Sequence, residues 1–299
     1  MEHDEALATY DRQMRREARP DGPGARVERA GRVVRQTGTA GDWNGVLWSD
    51  LEGYGEGEVE AVIAEQVRHY TARGLAFEWK LYAHDRPRDL GRRLLAAGFE
   101  PEPAETLMVA ETATVVRALD GEAGRPPGDV RLVPVTDAAG VELLAEVHEH
   151  AFGTGRDAVR SRLLALLAEE PGRRPGARPG TSPGLGVGPP PGTSPGLGAG
   201  VVAVVAVVAV VAVAGGRAVS AARMELRPGT DFAGLWGGGT VPDQRGRGLY
   251  RALVGFRARI AAERGHRYLH VDASDQSRPI LRRLGFVPLT TTTPYHFMP

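Results

Sequence analysis

Cysteine is absent from the 299 residues, which excludes disulfides, zinc–thiolate centres and cysteine nucleophiles. Lysine is nearly absent as well. Lys80 is the single one, so arginine supplies the rest of the 37 basic residues. An excess of either charge is lacking, because 37 acidic residues balance them; a nucleic-acid-binding domain normally carries a large basic surplus. No apolar run is long enough for a bilayer. The longest, residues 201–214, is built of Val and Ala and falls short of the roughly 18–20 residues a membrane span needs. The first twenty residues are charged throughout, unlike a secretory signal. These absences lead to the expectation of a cytoplasmic protein with neither nucleic acid nor membrane as partner.

What is present is a globular composition, 42% hydrophobic and 25% charged, in a chain long enough for one large domain or two of about 150 residues. Composition divides it into a mixed first part (1–115), a linker (116–130) carrying Gly121, Gly124, Pro126, Pro127 and Gly128, and a second part (131–299). The second part is interrupted at 171–200, where Pro179-Gly-Thr-Ser-Pro-Gly-Leu-Gly186 recurs as residues 191–198. Such a stretch buries too little apolar surface to offset its chain entropy and is expected to be disordered. The Val-Val-Ala repeat that follows has a period of three, which suits neither strand nor helix. Both repeats of 171–213 read as expansions within a loop, with about Val207–Ala214 retained as a strand. The Gly-x-Ser-x-Gly match at residues 180–184 lies inside this insert rather than between a strand and a helix, so it is no hydrolase elbow.

Beyond the insert the elements are legible. Gly215-Gly216 marks a hairpin turn between strands 207–214 and 218–226, and a further strand spans 232–241. Leu249, Leu253, Phe256 and Ile260 form one stripe of a helix over 248–263, stopped by Gly265. Tyr268–Ala273 alternates as a strand, a short helix starts near Pro279, and 286–297 supplies final strands broken by Pro294. Upstream, 130–135 is a strand and 137–152 a helix. The order predicts an α/β fold with a mixed central sheet flanked by helices.

The chemistry points to one loop. A strand ends at Val241, and Gln244, Arg245, Gly246, Arg247 and Gly248 lead directly into the helix at Leu249 and Tyr250. The first turn of a helix presents unpaired N–H groups and a positive dipole end, which together hold an anion. Glycines 246 and 248 allow positive φ and close approach of the backbone, and the two arginines add charge. These residues are expected to bind a phosphate-bearing cofactor. His148 and His150 are two apart on a helix and do not share a face, so no metal site is expected. Arg251, Arg257, Arg259 and Arg264 read as a solvated helix face.

Val241-Pro242, Arg245 and Gly248 resemble the acetyl-CoA signature of the GCN5-related N-acetyltransferase (GNAT) superfamily, Arg/Gln-x-x-Gly-x-Gly/Ala, with Tyr250 where the family has its last small residue. Residues 277–286, ending in Leu284-Gly-Phe286, are similar to the family's closing helix and turn. The resemblance covers about half the chain. It implies acetyl-CoA as cosubstrate, a diphosphate held by the amides of 246–250, the pantetheine arm paired beside the Val241 strand end, and acetyl transfer to the primary amine of a small molecule or peptide. Two departures leave the catalytic residues unassigned. Leu281 stands where many members have the tyrosine that protonates the leaving thiolate, and no carboxylate lies on the strand before the loop. Asp272 and His270, on one face of the next strand, Tyr295 and water remain as proton carriers. Phe77–Tyr82 followed by Asp89–Phe99 parallels Tyr268–Ala273 followed by Ser277–Phe286, which implies a tandem fold whose first copy is degenerate and lacks the cofactor loop. Two alternatives stay open: an acyl-CoA-binding module without catalysis, and a dinucleotide-binding oxidoreductase, for which Gly246, Gly248 and Asp272 have the spacing.

Overall fold

Two strand–helix–strand units, one in each half of the chain, organise the computed structural model, which describes residues 2–22, 24–153, 155–169 and 206–299. The first half opens with α1 (His3–Tyr10), which runs on as a π-helical segment through Asp11–Arg16. There follow β1 (Arg26–Ala30), β2 (Val33–Thr37), β3 (Gly45–Ser49), α2 (Glu56–Thr71), β4 (Phe77–Tyr82), α3 (Leu90–Ala96), β5 (Glu100–Pro101) and β6 (Glu105–Glu111). The expected linker region holds the end of α4 (Thr112–Ala118) and a 3-10 turn at Gly121–Gly124. The second half comprises β7 (Val130–Pro134), α5 (Ala138–Phe152), α6 (Arg156–Glu169), β8 (Ala206–Ala214), β9 (Arg217–Leu226), β10 (Phe232–Thr240), α7 (Leu249–Glu263), β11 (Tyr268–Ala273), α8 (Arg278–Arg283) and β12 (Val287–Phe297).

Among the described residues, the twelve strands join one sheet in the order β1-β2-β3-β4-β12-β6-β11-β10-β9-β8-β7, with β5 also on β12. Only β3/β4 and β10/β11 are parallel among the described strands. A doubly wound parallel sheet, which the dinucleotide-binding alternative requires, is therefore not what this chain forms.

The last strands are exchanged. β6 pairs with β11 of the second half, from Tyr268↔Glu111 to Ala273↔Thr106. β12 pairs with β4 of the first half, from Thr292↔Tyr82 to Phe297↔Phe77. Between them β6 and β12 pair with each other. Each half is completed by hydrogen bonds from the other, because backbone groups buried at this junction need partners.

Alternation decides what each strand faces. Phe77 and Trp79 of β4 enter the core beneath α2 and α3. Leu269, Val271 and Ala273 of β11 enter the core beneath α7 and α8. The opposite faces meet at the junction, where Tyr10, Tyr82, Leu107, Val109, Phe232 and Tyr268 form a further buried cluster with α1. At the Gly98-Phe99 and Gly285-Phe286 turns the glycines have φ of +92° and +91°, so the paired strand–helix–Gly-Phe segments repeat in backbone conformation as well as in sequence.

Two expectations need correction, and one helix lies where no element was expected. β12 is one strand, with Pro294 inside it: the proline lies beyond the last β6 pair and before the β5 pairs, so its missing N–H falls in a gap, while its carbonyl accepts from Glu102 N at 2.9 Å. Helix α6 follows α5 and was not foreseen; Val159, Leu163, Leu164, Leu166 and Leu167 pack it against the β7–β9 core. Arg257 is not solvated but 1% exposed, donating to Leu253 O and Arg223 O. The repeats at 171–200 lie outside the described residues. The strand placed at 207–214 is observed as β8, joined to β9 through Gly215 and Gly216 at φ of +53° and +82°.

Candidate active site

The β10/β11 pair is hydrogen-bonded over three residues, Phe232–Gly234 against Tyr268–His270. Beyond that point the two strands run on without pairing, and a bulge between Trp236 and Gly239 bends β10. The result is an opening in the sheet, and α7 begins beside it. Gly246 and Gly248 have φ of +80° and +82°, conformations that side-chain-bearing residues reach only with strain. Gly248 is the N-cap of α7, so no side chain caps the helix, and its first turn carries no acid. By contrast, Asp137 caps α5 by accepting from Gly140 N. The first-turn donors of α7 are therefore left for an external acceptor.

A cleft of about 760 Å³ lies at this helix end. It is lined by Gln244, Arg245, Gly246, Arg247, Gly248, Leu249 and Tyr250, all expected from sequence, together with Arg251, Arg283 and the Leu119 region, and no carboxylate lines it. Arg247 is held by Asp129 at 2.6 Å and by Gln244, and Arg245 Nε donates to Thr240 O at 3.2 Å. A cleft with four arginines, a helix N-terminus and no acid is suited to an anion.

Val241 is the expected residue that does not line the cleft. Its side chain is buried among Val141, Leu144 and Leu249, its N–H donates to Val219 O, and its carbonyl accepts from Gln244 N. Neither main-chain group is free to pair with an inserted arm, so such pairing falls to the unpaired edge of β10 before it. Tyr250, the departure from the small-residue pattern, is accommodated by Gly238: a Cβ there would lie 2.8 Å from Tyr250 Cε2. A Cβ at Gly239 would lie 2.7 Å from Ala151 Cβ. The Gly237–Gly239 run, seen in sequence only as lacking a carboxylate, lets a ring and a helix end close on the strand.

On the junction face of the opening stand Trp236, His270 and Asp272. His270 and Asp272 do share a face, as alternation indicated. His270 is 3% exposed, and burial pushes its pKa down to about 3, against the pull of Asp272. A neutral imidazole this reluctant to accept a proton is a poor general base. Asp272 Oδ2 accepts from Lys80 Nζ of β4 at 2.5 Å, so the only lysine bridges the halves. Burial works against this ammonium, but Asp272 and Glu78 raise its pKa overall. Glu105, on the exchanged strand β6, shares the junction face with Leu107 and Val109. Burial and the neighbouring Asp272 push its pKa up to about 7. No periodicity marked Glu105 in the sequence, because only the strand exchange brings it here. Tyr295 is elsewhere: it packs in the first half's core, where a Cβ on Gly91 would lie 2.5 Å from its hydroxyl. Leu281 is fully buried.

Among solved structures, the chain is similar to a GCN5-related N-acetyltransferase from Kribbella flavida, at 16% identity over 98% of this chain and 93% of that one, with a TM-score of 0.61. It is similar to a tandem GNAT protein from the clavulanic acid biosynthesis pathway (14%, 98% and 95%, 0.58) and to a functionally unknown conserved protein from Staphylococcus epidermidis (11%, 95% and 96%, 0.61). No protein-family model and no curated protein matches the sequence. The fold is that of the GCN5-related N-acetyltransferases, with likeness to a tandem member across nearly the whole chain. Among the described residues no helix is long and apolar enough to cross a membrane.

Proposed function

We propose that the second half, 131–299, binds acetyl-CoA and transfers its acetyl group to a primary amine, while the first half, 1–115, completes the sheet and walls the acceptor side. The observation that carries this reading is the uncapped N-terminus of α7 behind two positive-φ glycines, opening on a carboxylate-free cleft beside the splayed β10/β11 pair. The residues present fit the cofactor. Amides of 246–250 with Arg245 and Arg247 would hold its diphosphate, and the unpaired edge of β10 would receive its pantetheine arm. The bound cofactor supplies the thioester that the amine attacks.

The chain's own contribution is then positioning and proton transfer. Glu105 is the carboxylate whose proton affinity suits a base near neutral pH, and in this reading it takes the amine's proton directly or through water. A second reading, acyl-CoA binding without turnover, is favoured by Leu281, which puts a buried aliphatic side chain where the resemblance implies a proton donor.

Titration calorimetry with coenzyme A tests the cofactor site. Binding to the wild type, weakened at least tenfold in Gly248→Val and in Arg245→Ala, supports it; absence of heat from folded protein removes both readings. Thiol release from acetyl-CoA over a panel of primary amines separates transferase from binding module.

A further inference from the structure

Arg223 is a largely buried guanidinium to which no acid is hydrogen-bonded among the described residues. It lies on β9 directly opposite Trp236 of β10. Its Nη1 would be 2.9 Å from a Cβ on Gly237, a position also 3.9 Å from His148 Nδ1, so it sits against the bulge that opens the β10/β11 splay. No carboxylate among the described residues forms an ion pair with it, and its Nε has no hydrogen-bond partner. The neighbouring Glu225 is engaged by Arg162 at 3.3 Å and Arg227 at 3.4 Å. His148 brings no negative charge. Burial lowers the pKa of Arg223 below the ordinary guanidinium value, against the through-space pull of Glu225 and with the repulsion of Arg162. A buried charge is costly and is normally matched by a bonded partner; here the fold supplies only the distant pull of Glu225, which two other arginines share.

Three further polar atoms are left open nearby, one of them His270 Nδ1, which is buried without a partner. Trp236 Nε1 is buried without a partner, and so is Asp272 Oδ1, although the other oxygen of that carboxylate holds Lys80. Trp236 stands between the two ends: Lys80 Nζ is 5.8 Å from its ring and the His270 ring is 5.9 Å away. Unsatisfied donors thus lie on the β9/β10 side of the opening and an unsatisfied acceptor on the β11 side. Two strand spacings, roughly 10 Å, separate β9 from β11.

We propose that the acceptor is an amine that also carries a carboxylate several bonds away, with the carboxylate on Arg223, the chain across Trp236 and the amino end toward Asp272 and the thioester. This rests on the acetyl-CoA reading of the opening and adds the acceptor's chemical class to it. Arg223 is then the specificity-determining residue, because accepting an analogue without the carboxylate would leave its own charge unpaired.

The test is binding, read by calorimetry on protein first saturated with coenzyme A. The probes are the linear ω-amino acids from glycine to 6-aminohexanoate and, for comparison, butylamine, pentylamine and hexylamine. The expected result is binding of at least one ω-amino acid of four to six carbons, at least tenfold tighter than the matching alkylamine. Arg223→Met should abolish that preference with coenzyme A affinity unchanged, and Arg223→Lys should retain part of it. Alkylamines binding equally well, no ω-amino acid binding to the coenzyme-loaded protein, or an unchanged preference in a folded Arg223→Met would each overturn the proposal. Failure of coenzyme A itself to bind is seen in the first titration and takes the underlying cofactor reading down with it.

Discussion

Arg15 Nε donates to the carbonyl of Leu47 at 3.1 Å, and Leu47 is the first β3 residue past the last parallel pair with β4, Val46↔Trp79. Its counterpart in the second half is Leu235, the first residue of β10 past the Gly234↔His270 pair. The opening that stands free between β10 and β11 is thus filled between β3 and β4 by a side chain from the N-terminal helix. Arg15 is 2% exposed, chelated by both oxygens of Asp85 at 2.7 and 2.6 Å and by Asp11 at 2.7 Å, and lies 3.8 Å over the Tyr82 ring. The helix ends differ in the same sense. Glu58 folds back on the N-cap of α2, accepting from Gly55 N at 2.8 Å, whereas the N-cap of α7 is bare.

One coenzyme A per chain is the expected stoichiometry, since the first half has both its sheet opening and its helix end occupied. Calorimetry giving two equivalent sites would contradict this. Arg15→Met should not create a second site, because Glu58 remains, but should cost about 3–5 kcal/mol by leaving Asp85 buried without its cation; denaturant unfolding measures it.

The Lys80–Asp272 pair joins strands from different halves, and its loss should be felt by the whole chain. Lys80→Met alone leaves the Asp272 carboxylate, 2% exposed, without a counter-charge and should destabilise by about 3–5 kcal/mol. Lys80→Met with Asp272→Leu should recover most of that, because two apolar side chains of similar volume often replace a buried pair without net cost. A double-mutant cycle in urea gives the coupling directly; additive effects would mean that the bridge carries no energy.

Local chemistry was legible and long-range pairing was not. The α7 loop could be read because its signal is contiguous: two glycines, two arginines and the onset of a helical stripe within a few residues, later found with positive φ around the cleft. The strand at 268–273 and the duplicated Gly-Phe turns were legible for the same reason. The exchange of β6 and β12 was hidden, since a strand's alternation fixes its faces but not its neighbour. With it was hidden everything the exchange assembles: Glu105 beside Asp272, Lys80 across from Trp236, and Tyr295 in the other half's core. Arg257 is not distinguishable in the sequence, because a helix carrying Arg251, Arg257 and Arg259 gives no sign of which one turns inward to bond a strand carbonyl. Arg223 carries no signal either, since a single arginine in an apolar strand forms no motif.

Acid and base should act on this fold with opposite signs at two residues. His270 has its pKa lowered to about 3, below the usual 6.5 of the unfolded chain, so the unfolded state binds the extra proton between those values and stability falls as pH drops through that window. At pH 5 the cost is about 2 kcal/mol, and His270→Gln should flatten the slope. Glu105 has its pKa raised to about 7 from 4.5, so the native state holds the proton longer and stability falls as pH rises between those values. Glu105→Gln should therefore raise the melting temperature more at pH 8 than at pH 5. It should also slow acetyl transfer on any accepted amine and remove the limb of the rate profile near pH 7. Equal shifts at both pH values would show that Glu105 is an ordinary surface carboxylate.

Replacing Leu281 by the tyrosine that the resemblance implies offers a sharp check on the acid-free reading of the site. Leu281 is the fully buried residue of α8, in the cluster with Leu284, Phe286 and Ala258. A ring at that place overfills a packed region, typically costing about 1–3 kcal/mol. Its hydroxyl, if it stays in the core, adds about 1–3 kcal/mol for an unmade hydrogen bond. Leu281→Tyr should accordingly melt several degrees below the wild type and release thiol no faster, since the side chain at this position points into the core rather than into the β10/β11 opening. A variant as stable as the wild type with faster thiol release would mean that the tyrosine reaches the leaving sulfur. Leu281 would then mark a lost catalytic group rather than a packing position, and the binding-module reading would gain at the expense of the transferase.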